Sequence, residues 1–338
     1  MTFFISAITS KTDGTMIKGI LLSAIIAFFA INMGGGNFAA SFAAAYGGRV
    51  VTKRRAQILF IIFVILGAIL VGKPVAKTLG SRIIPSELLT VDTVLVICFT
   101  ATCSLFIANL LKVPQSTSMV SVGSIIGVGL FHKQVYLSTI MYLIPFWILM
   151  PLIGYILTYF FGRMIYPPRA SNFWIYEKLV NHRKRLAFFV IMASCYNAFS
   201  VGTNNVSNAV GPLVGAGILD VMLGLALIAP VFGMGGIVFD KVLTSTSDEI
   251  IPLGLLTATI ICFVCGSLMI IASILGVPQS FVMIKVASVI AVSGLKDGHA
   301  ITFRNRVIQK TCITWMVTPI ISIFLSYALT AALFYFTR

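Results

Sequence analysis

Charge is scarce in this sequence: Asp, Glu, Lys and Arg together make up 10% of its 338 residues, against about a quarter in a soluble domain. So little charge cannot cover a water-facing surface of this size, which excludes an ordinary soluble protein. Acidic residues are the rarest, nine against 24 Lys and Arg. The nine (Asp13, Glu87, Asp92, Glu177, Asp220, Asp240, Asp248, Glu249 and Asp297) fall between apolar stretches or near their ends. A carrier of cations would need a carboxylate inside. His132, His182 and His299 have no metal-ligand spacing and read as solvated loop residues. Cys262-x-x-Cys265 has no second pair and sits in an apolar run, so it reads as packing, not as a zinc or redox site. No Gly-x-x-x-x-Gly-Lys-Ser/Thr stretch occurs, which excludes direct nucleotide drive of that type. No nucleophile–base pair or metal cluster suggests an enzyme, and no cofactor is expected.

Apolar residues take the place of charge. They are 59% of the chain, with a mean hydropathy of +1.04. Long apolar stretches over 58–71, 93–111, 138–161, 186–200, 221–238, 253–275 and 312–336 read as membrane helices. The net charge of +15 gathers in short loops, not on a soluble module. That distribution orients membrane proteins and does not point to nucleic acid. The segment 19–31 behind Lys18 has the outline of a signal sequence, but it belongs to a repeat.

The repeat is the most specific feature of the sequence. Gly34-Gly35-Gly36-Asn37-Phe38-Ala39-Ala40-Ser41 returns, offset by 168, as Gly202-Thr203-Asn204-Asn205-Val206-Ser207-Asn208-Ala209. Ile83-Ile84-Pro85 returns as Ile250-Ile251-Pro252, and Leu111-Lys112-Val113-Pro114-Gln115-Ser116 as Leu275-Gly276-Val277-Pro278-Gln279-Ser280. Trp147 with Pro151 returns as Trp315 with Pro319. The order is kept and the offset is nearly constant, so two halves are expected: residues 1–162 and 186–338, joined by a basic linker over 163–185. The loop with Arg49, Lys53, Arg54 and Arg55 corresponds to one over 215–220 that carries no positive charge. Equivalent loops of opposite charge character belong on opposite sides. The expectation is therefore an all-α integral membrane protein of about ten membrane helices in two inverted-topology repeats. The linker and the late loop (Lys296, Arg304, Arg306, Lys310) would be cytoplasmic. Lys73, Lys77 and Arg82 run against this pattern, because they would lie outside.

Gly and Asn concentrate at two points inside apolar stretches, where broken or re-entrant helices at the midplane are expected. Irregular backbone at that depth persists only where it is packed in protein or lines a cavity. Helix N-termini there would bind anions through free N–H groups and the helix dipole. Pro114-Gln115-Ser116-Thr117-Ser118 and Pro278-Gln279-Ser280 each open a new helix, so four such openings could converge on one anion. The glycines alone serve equally well as tight helix contacts. Lys285, five residues past Ser280 in an apolar run, costs about 2.5–3.5 kcal/mol at bilayer depth, which favours a counter-charge over an idle side chain.

At these residues the sequence resembles the inorganic phosphate transporter family. Gly202 to Leu213 resembles that family's duplicated Gly-Ala-Asn-Asp-Val-Ala-Asn-Ala signature, and Pro114 to Ser118 its Pro-x-Ser-Thr-Thr. The resemblance implies an inverted-repeat anion transporter, driven by an ion gradient and dimeric. The signature Asp is Asn37 in one copy and Asn205 in the other; Gly36 and Ala40 replace further Asn residues, and Phe281 and Val282 replace two Thr. Phosphate carries a proton that a carboxylate can accept, whereas sulfate only accepts hydrogen bonds and is repelled by a carboxylate. Asparagine has nearly the same shape and offers an N–H donor. The expected substrate is thus sulfate or a related oxyanion, as in a bacterial sulfate-permease branch of the family, in a bacterial cytoplasmic membrane. The expected transport is secondary active, proton-coupled or sodium-independent. The expected binding residues are Asn37, Ser41, Gln115, Ser116, Thr117, Asn204, Asn205, Asn208, Gln279, Ser280 and Lys285. A phosphate transporter and a passive anion channel are the alternatives.

Overall fold

The computed structural model describes residues 13–110, 115–180, 182–240, 243, 254–298, 302 and 306–336. Residues 111–114, 248–253, His299 and Arg304, singled out above, lie outside these. All regular structure among the described residues is helical. Helices α1 (Asp13–Gly47), α2 (Lys53–Val71) and the short α3 (Lys73–Lys77) come first, and α3 runs into a π-turn over Thr78–Arg82. Then follow α4 (Val91–Leu110), α5 (Thr117–Phe131) and α6 (Leu137–Ile165). A short helix α7 (Phe173–Val180) lies in the basic linker. The remainder is α8 (Arg183–Asn205), α9 (Ser207–Gly215), α10 (Val221–Val238), α11 (Leu255–Ile274), α12 (Phe281–Asp297) and α13 (Arg306–Phe336).

Seven stretches among the described residues are long and apolar enough to cross a membrane. Leu137, Met141, Ile148, Ile156 and Phe160 form an exposed stripe on α6, and Ile313, Met316, Ile320 and Phe324 another on α13. Such stripes are stable only against lipid or another apolar surface. Helix α5 is different. Its 15 residues span about 22 Å, less than the roughly 30 Å hydrocarbon layer. Nearly all of its side chains from Thr117 to Gly129 are buried, so it is enclosed by protein.

Packing between matching helices is reciprocal. Helix α1 lies along α10, and α8 lies along α2; α5 packs against α13, and α12 against α6. The first two crossings use glycine at matching places. A Cβ at Gly34 would collide with the carbonyl oxygen of Phe232, and one at Gly235 with that of Ile31. A Cβ at Gly202 would collide with the carbonyl oxygen of Val64, and one at Gly67 with that of Phe199. The offset that relates Gly34 to Gly202 also relates Gly67 to Gly235.

Two expectations need correction. The first Gly/Asn stretch does not break a helix: α1 runs unbroken through residues 34–41. Gly34 and Gly35 serve close approach to α10 and to Phe239, and the Asn37 side chain donates to the carbonyl of Met33 one turn back (2.8 Å), leaving the helical ladder in place. The second stretch is divided only at Val206, which itself keeps helical dihedrals. His132 is not solvated but half-buried, edge-on to Phe131 and Phe334. The acids among the described residues sit near helix ends, as expected. Asp92 pairs with Lys18 at 2.7 Å, and Asp240 pairs with Lys53.

Candidate functional site

Two short loops create the site. Ser116 precedes α5 with extended dihedrals, and its Oγ accepts from the Met119 amide at 3.2 Å. Ser280 caps α12 in the same way, accepting from Met283 at 3.2 Å. Each hydroxyl keeps its own hydrogen as a donor. Both serines are fully buried, so these helix starts, with their positive dipole ends, lie inside the protein.

The starts of three helices meet. Ser118, in the first turn of α5, donates to the carbonyl of Gln279 just before α12 (2.9 Å). Asn208, in the first turn of α9, donates to Ser118 Oγ (3.1 Å). The expected fourth opening is absent because α1 is continuous. Instead α1 contributes Asn37, whose Oδ1 accepts from Asn205 Nδ2 at 3.0 Å, 168 residues away. The residues that stand at the same place in the two motif copies therefore touch each other at the centre, both buried.

Not every expected residue is available to a ligand to the same degree. Asn204 braces the turn before α12: its Nδ2 donates to Ser273 Oγ and Val277 O, both at 2.9 Å, and its Oδ1 accepts from the Gln279 amide at 3.0 Å. Ser41 donates to the carbonyl of Asn37 (2.9 Å). Thr117 opens α5 and is buried. By contrast, Gln115 Oε1, Asn205 Oδ1, Asn208 Oδ1 and both polar atoms of the fully buried Gln279 side chain have no hydrogen-bond partner in the protein. Each such group left unsatisfied costs about 1–3 kcal/mol, so these atoms can take a further polar partner.

Lys285 projects from α12 and donates to the carbonyl of Ala40 at 2.6 Å, in a niche with Ala44, Ala258, Ile261, Cys262 and Val289. It thereby carries a positive charge to the first motif copy, beside Ser41. The offset of 164 that aligns Ser116 with Ser280 aligns Ser121 with Lys285. Ser121 Oγ is buried without a partner. The first half thus carries Ala40, Ser118 and Ser121 where the second carries Asn208, Val282 and Lys285.

Sequence reasoning missed Ser118, Ser121, Ser273 and Trp147. Trp147 Nε1 donates to the carbonyl of Pro278 at 2.9 Å and so holds the second loop. Ser118 lay within a motif already singled out, and the repeat offset could have flagged Ser121. For Ser273 no signal was present, because a serine in an apolar helix is unremarkable.

Helices throughout the described residues, seven stretches of which are long and apolar enough to cross a membrane, make the chain an integral membrane protein. It belongs to the Phosphate transporter family, which matches residues 33–326, and is a permease of that family. The sulfate permease CysP of Bacillus subtilis is 35% identical over 89% of this chain and 84% of that protein. A putative phosphate permease of Pyrococcus furiosus is 25% identical over 88% of this chain and 92% of its own length. A solved sodium-dependent phosphate transporter shares the fold, with a TM-score of 0.79 at 20% identity, covering 94% of this chain and 98% of the other.

Proposed function

We propose that this chain is a secondary active permease for inorganic sulfate in a bacterial cytoplasmic membrane, proton-coupled or sodium-independent. The observation that carries the proposal is the Asn37–Asn205 pair. The central position of both motif copies holds a neutral amide, and the side chains bonded to one another at the three helix starts are amides and hydroxyls. An anion that only accepts hydrogen bonds gains donors there and meets no carboxylate. Lys285 supplies positive charge at the carbonyl of Ala40, the residue before Ser41. The sulfate permease relative supports the same reading.

The reciprocal packing supports two repeats, residues 1–162 and 186–338, of inverted topology. Movement of one set of helices against the other would expose the cluster to each side in turn.

A phosphate reading is favoured by one observation: four of the five unpaired atoms of the cluster, on Gln115, Asn205, Asn208 and Gln279, are oxygens, which a protonated phosphate could use. Rotation of an amide by half a turn exchanges oxygen for NH2, so the same side chains can serve sulfate. Uptake of radiolabelled sulfate into proteoliposomes, with and without sodium and against equimolar phosphate, decides between them. Sulfate uptake that persists without sodium and resists phosphate is expected. Uptake abolished by equimolar phosphate gives the site to phosphate.

A further inference from the structure

Three positive charges in the sequence fit no topological role. On the inverted reading Lys73, Lys77 and Arg82 face outwards, where Lys and Arg are otherwise sparse. The structure gives one of them a setting. The backbone from Thr78 to Arg82 winds as a π-turn, an irregularity that recurs at functional sites. Arg82 lies at the end of that turn and lines a cavity of about 190 Å³ together with Thr78, Ser138, Thr139 and Tyr142. The lining therefore holds one guanidinium and four hydroxyls, with no carboxylate. At about 30 Å³ per water, the space fits a tetrahedral oxyanion that keeps part of its hydration.

The cavity also lies against the loop that carries Gln279. The Tyr142 hydroxyl donates to the carbonyl of Leu275 at 3.4 Å. Thr78 Oγ1 lies 3.1 Å from where a Cβ on Gly276 would stand, and Gly276 itself has a φ of 70°. From Leu275 and Gly276 the chain continues through Val277 and Pro278 to the Gln279 amide of the central cluster. We propose that the Arg82 cavity is an outer oxyanion-binding site, which captures a partly hydrated divalent anion before it reaches the cluster. The proposal rests on reading the cluster as the inner oxyanion site. A guanidinium offers planar, bidentate N–H donors to such an anion, and the hydroxyls of Ser138 and Thr139 can donate in place of lost water, while those of Thr78 and Tyr142 are spent on the carbonyls of Pro74 and Leu275.

The test uses the purified full-length protein. Phenylglyoxal modifies arginines, and peptide mapping reads each arginine separately. Sulfate should slow modification of Arg82 at least about threefold relative to gluconate at equal ionic strength, and leave Arg163 in the linker unchanged. The protection should persist in Gln279→Leu, since the outer site does not need the inner one. No slowing, equal slowing at Arg163, or loss of protection in Gln279→Leu overturns the proposal. None of these readouts requires transport, so they stand even if the sulfate reading fails. In proteoliposomes Arg82→Ala should raise the KM for sulfate roughly threefold to tenfold with the maximal rate kept, and Arg82→Lys should fall between. An unchanged KM in Arg82→Ala also overturns it.

Discussion

On the proposed sulfate reading, substrate choice turns on single atoms at the Asn37–Asn205 contact. Replacing Asn205 by Asp puts a negative charge against Asn37 Oδ1, which now accepts from the Asn205 amide. A carboxylate there repels sulfate but can accept the proton of phosphate. Asn205→Asp should lower sulfate uptake roughly tenfold or more and improve competition by phosphate; a competition assay in proteoliposomes reads both. Lys285→Ala removes the charge seated on Ala40 and should cut sulfate uptake roughly tenfold to a hundredfold, while Lys285→Arg keeps part of it. Unchanged uptake in Lys285→Ala would make the lysine a structural side chain. The residues of this site were legible where duplication exposed them: Asn37 and Asn205, Ser116 and Ser280. The work done by Asn204 was not. Its partners Ser273 and Val277 lie far along the chain, and only folding brings them near. Gly36, its counterpart in the first copy, is exposed with open space at its Cβ position.

Among the elements, close helix crossings and one cap carry the sharpest consequences. A Cβ at Gly235 meets the backbone of Ile31, and backbone cannot step aside as a side chain can. Gly235→Ala should cost about 1–3 kcal/mol or more and reduce the yield of monodisperse protein. Gly36→Ala, a substitution into open space on the same crossing helix, should be tolerated. The pair separates the effect of close approach from that of glycine itself. At the start of α10, Asp220 accepts from the amides of Met222 and Leu223, and these bonds hold its carboxyl below the ordinary value of 3.8. A lowered folded-state value means stabilisation that is fully present above 3.8 and lost as pH falls through the folded value. The difference in melting temperature between the native protein and Asp220→Ala should be full near neutral pH and vanish in strong acid. The positions of these helices were largely readable from apolar run length, and 221–238 matches α10. The continuity of α1 was not, because glycine and asparagine mark both a helix break and a tight crossing. The choice between them depends on what the neighbouring helix presents, here the backbone of Phe232 and the side chain of Phe239.

For the whole molecule, reciprocity is the governing fact. The sequence offset predicted two like halves; it carried no information that each half would pack mainly on the other. Helix α1 needs α10, α8 needs α2, α5 needs α13, and α12 needs α6. The chain divided within the linker at 163–185 should therefore give no folded product from either piece alone, while co-expression of the two pieces should restore uptake. Stable, monodisperse protein from the first piece alone would contradict this. The same arrangement sets the order of biosynthesis. Helix α5 leaves the ribosome long before α13, on which it comes to rest. Too short to span the bilayer and rich in buried serine, it should need shelter from lipid until nearly all of the second half has been translated. The polar centre is closed from behind, by the segment translated after every other described helix, so slowed translation or delayed insertion late in the chain should endanger a helix made early.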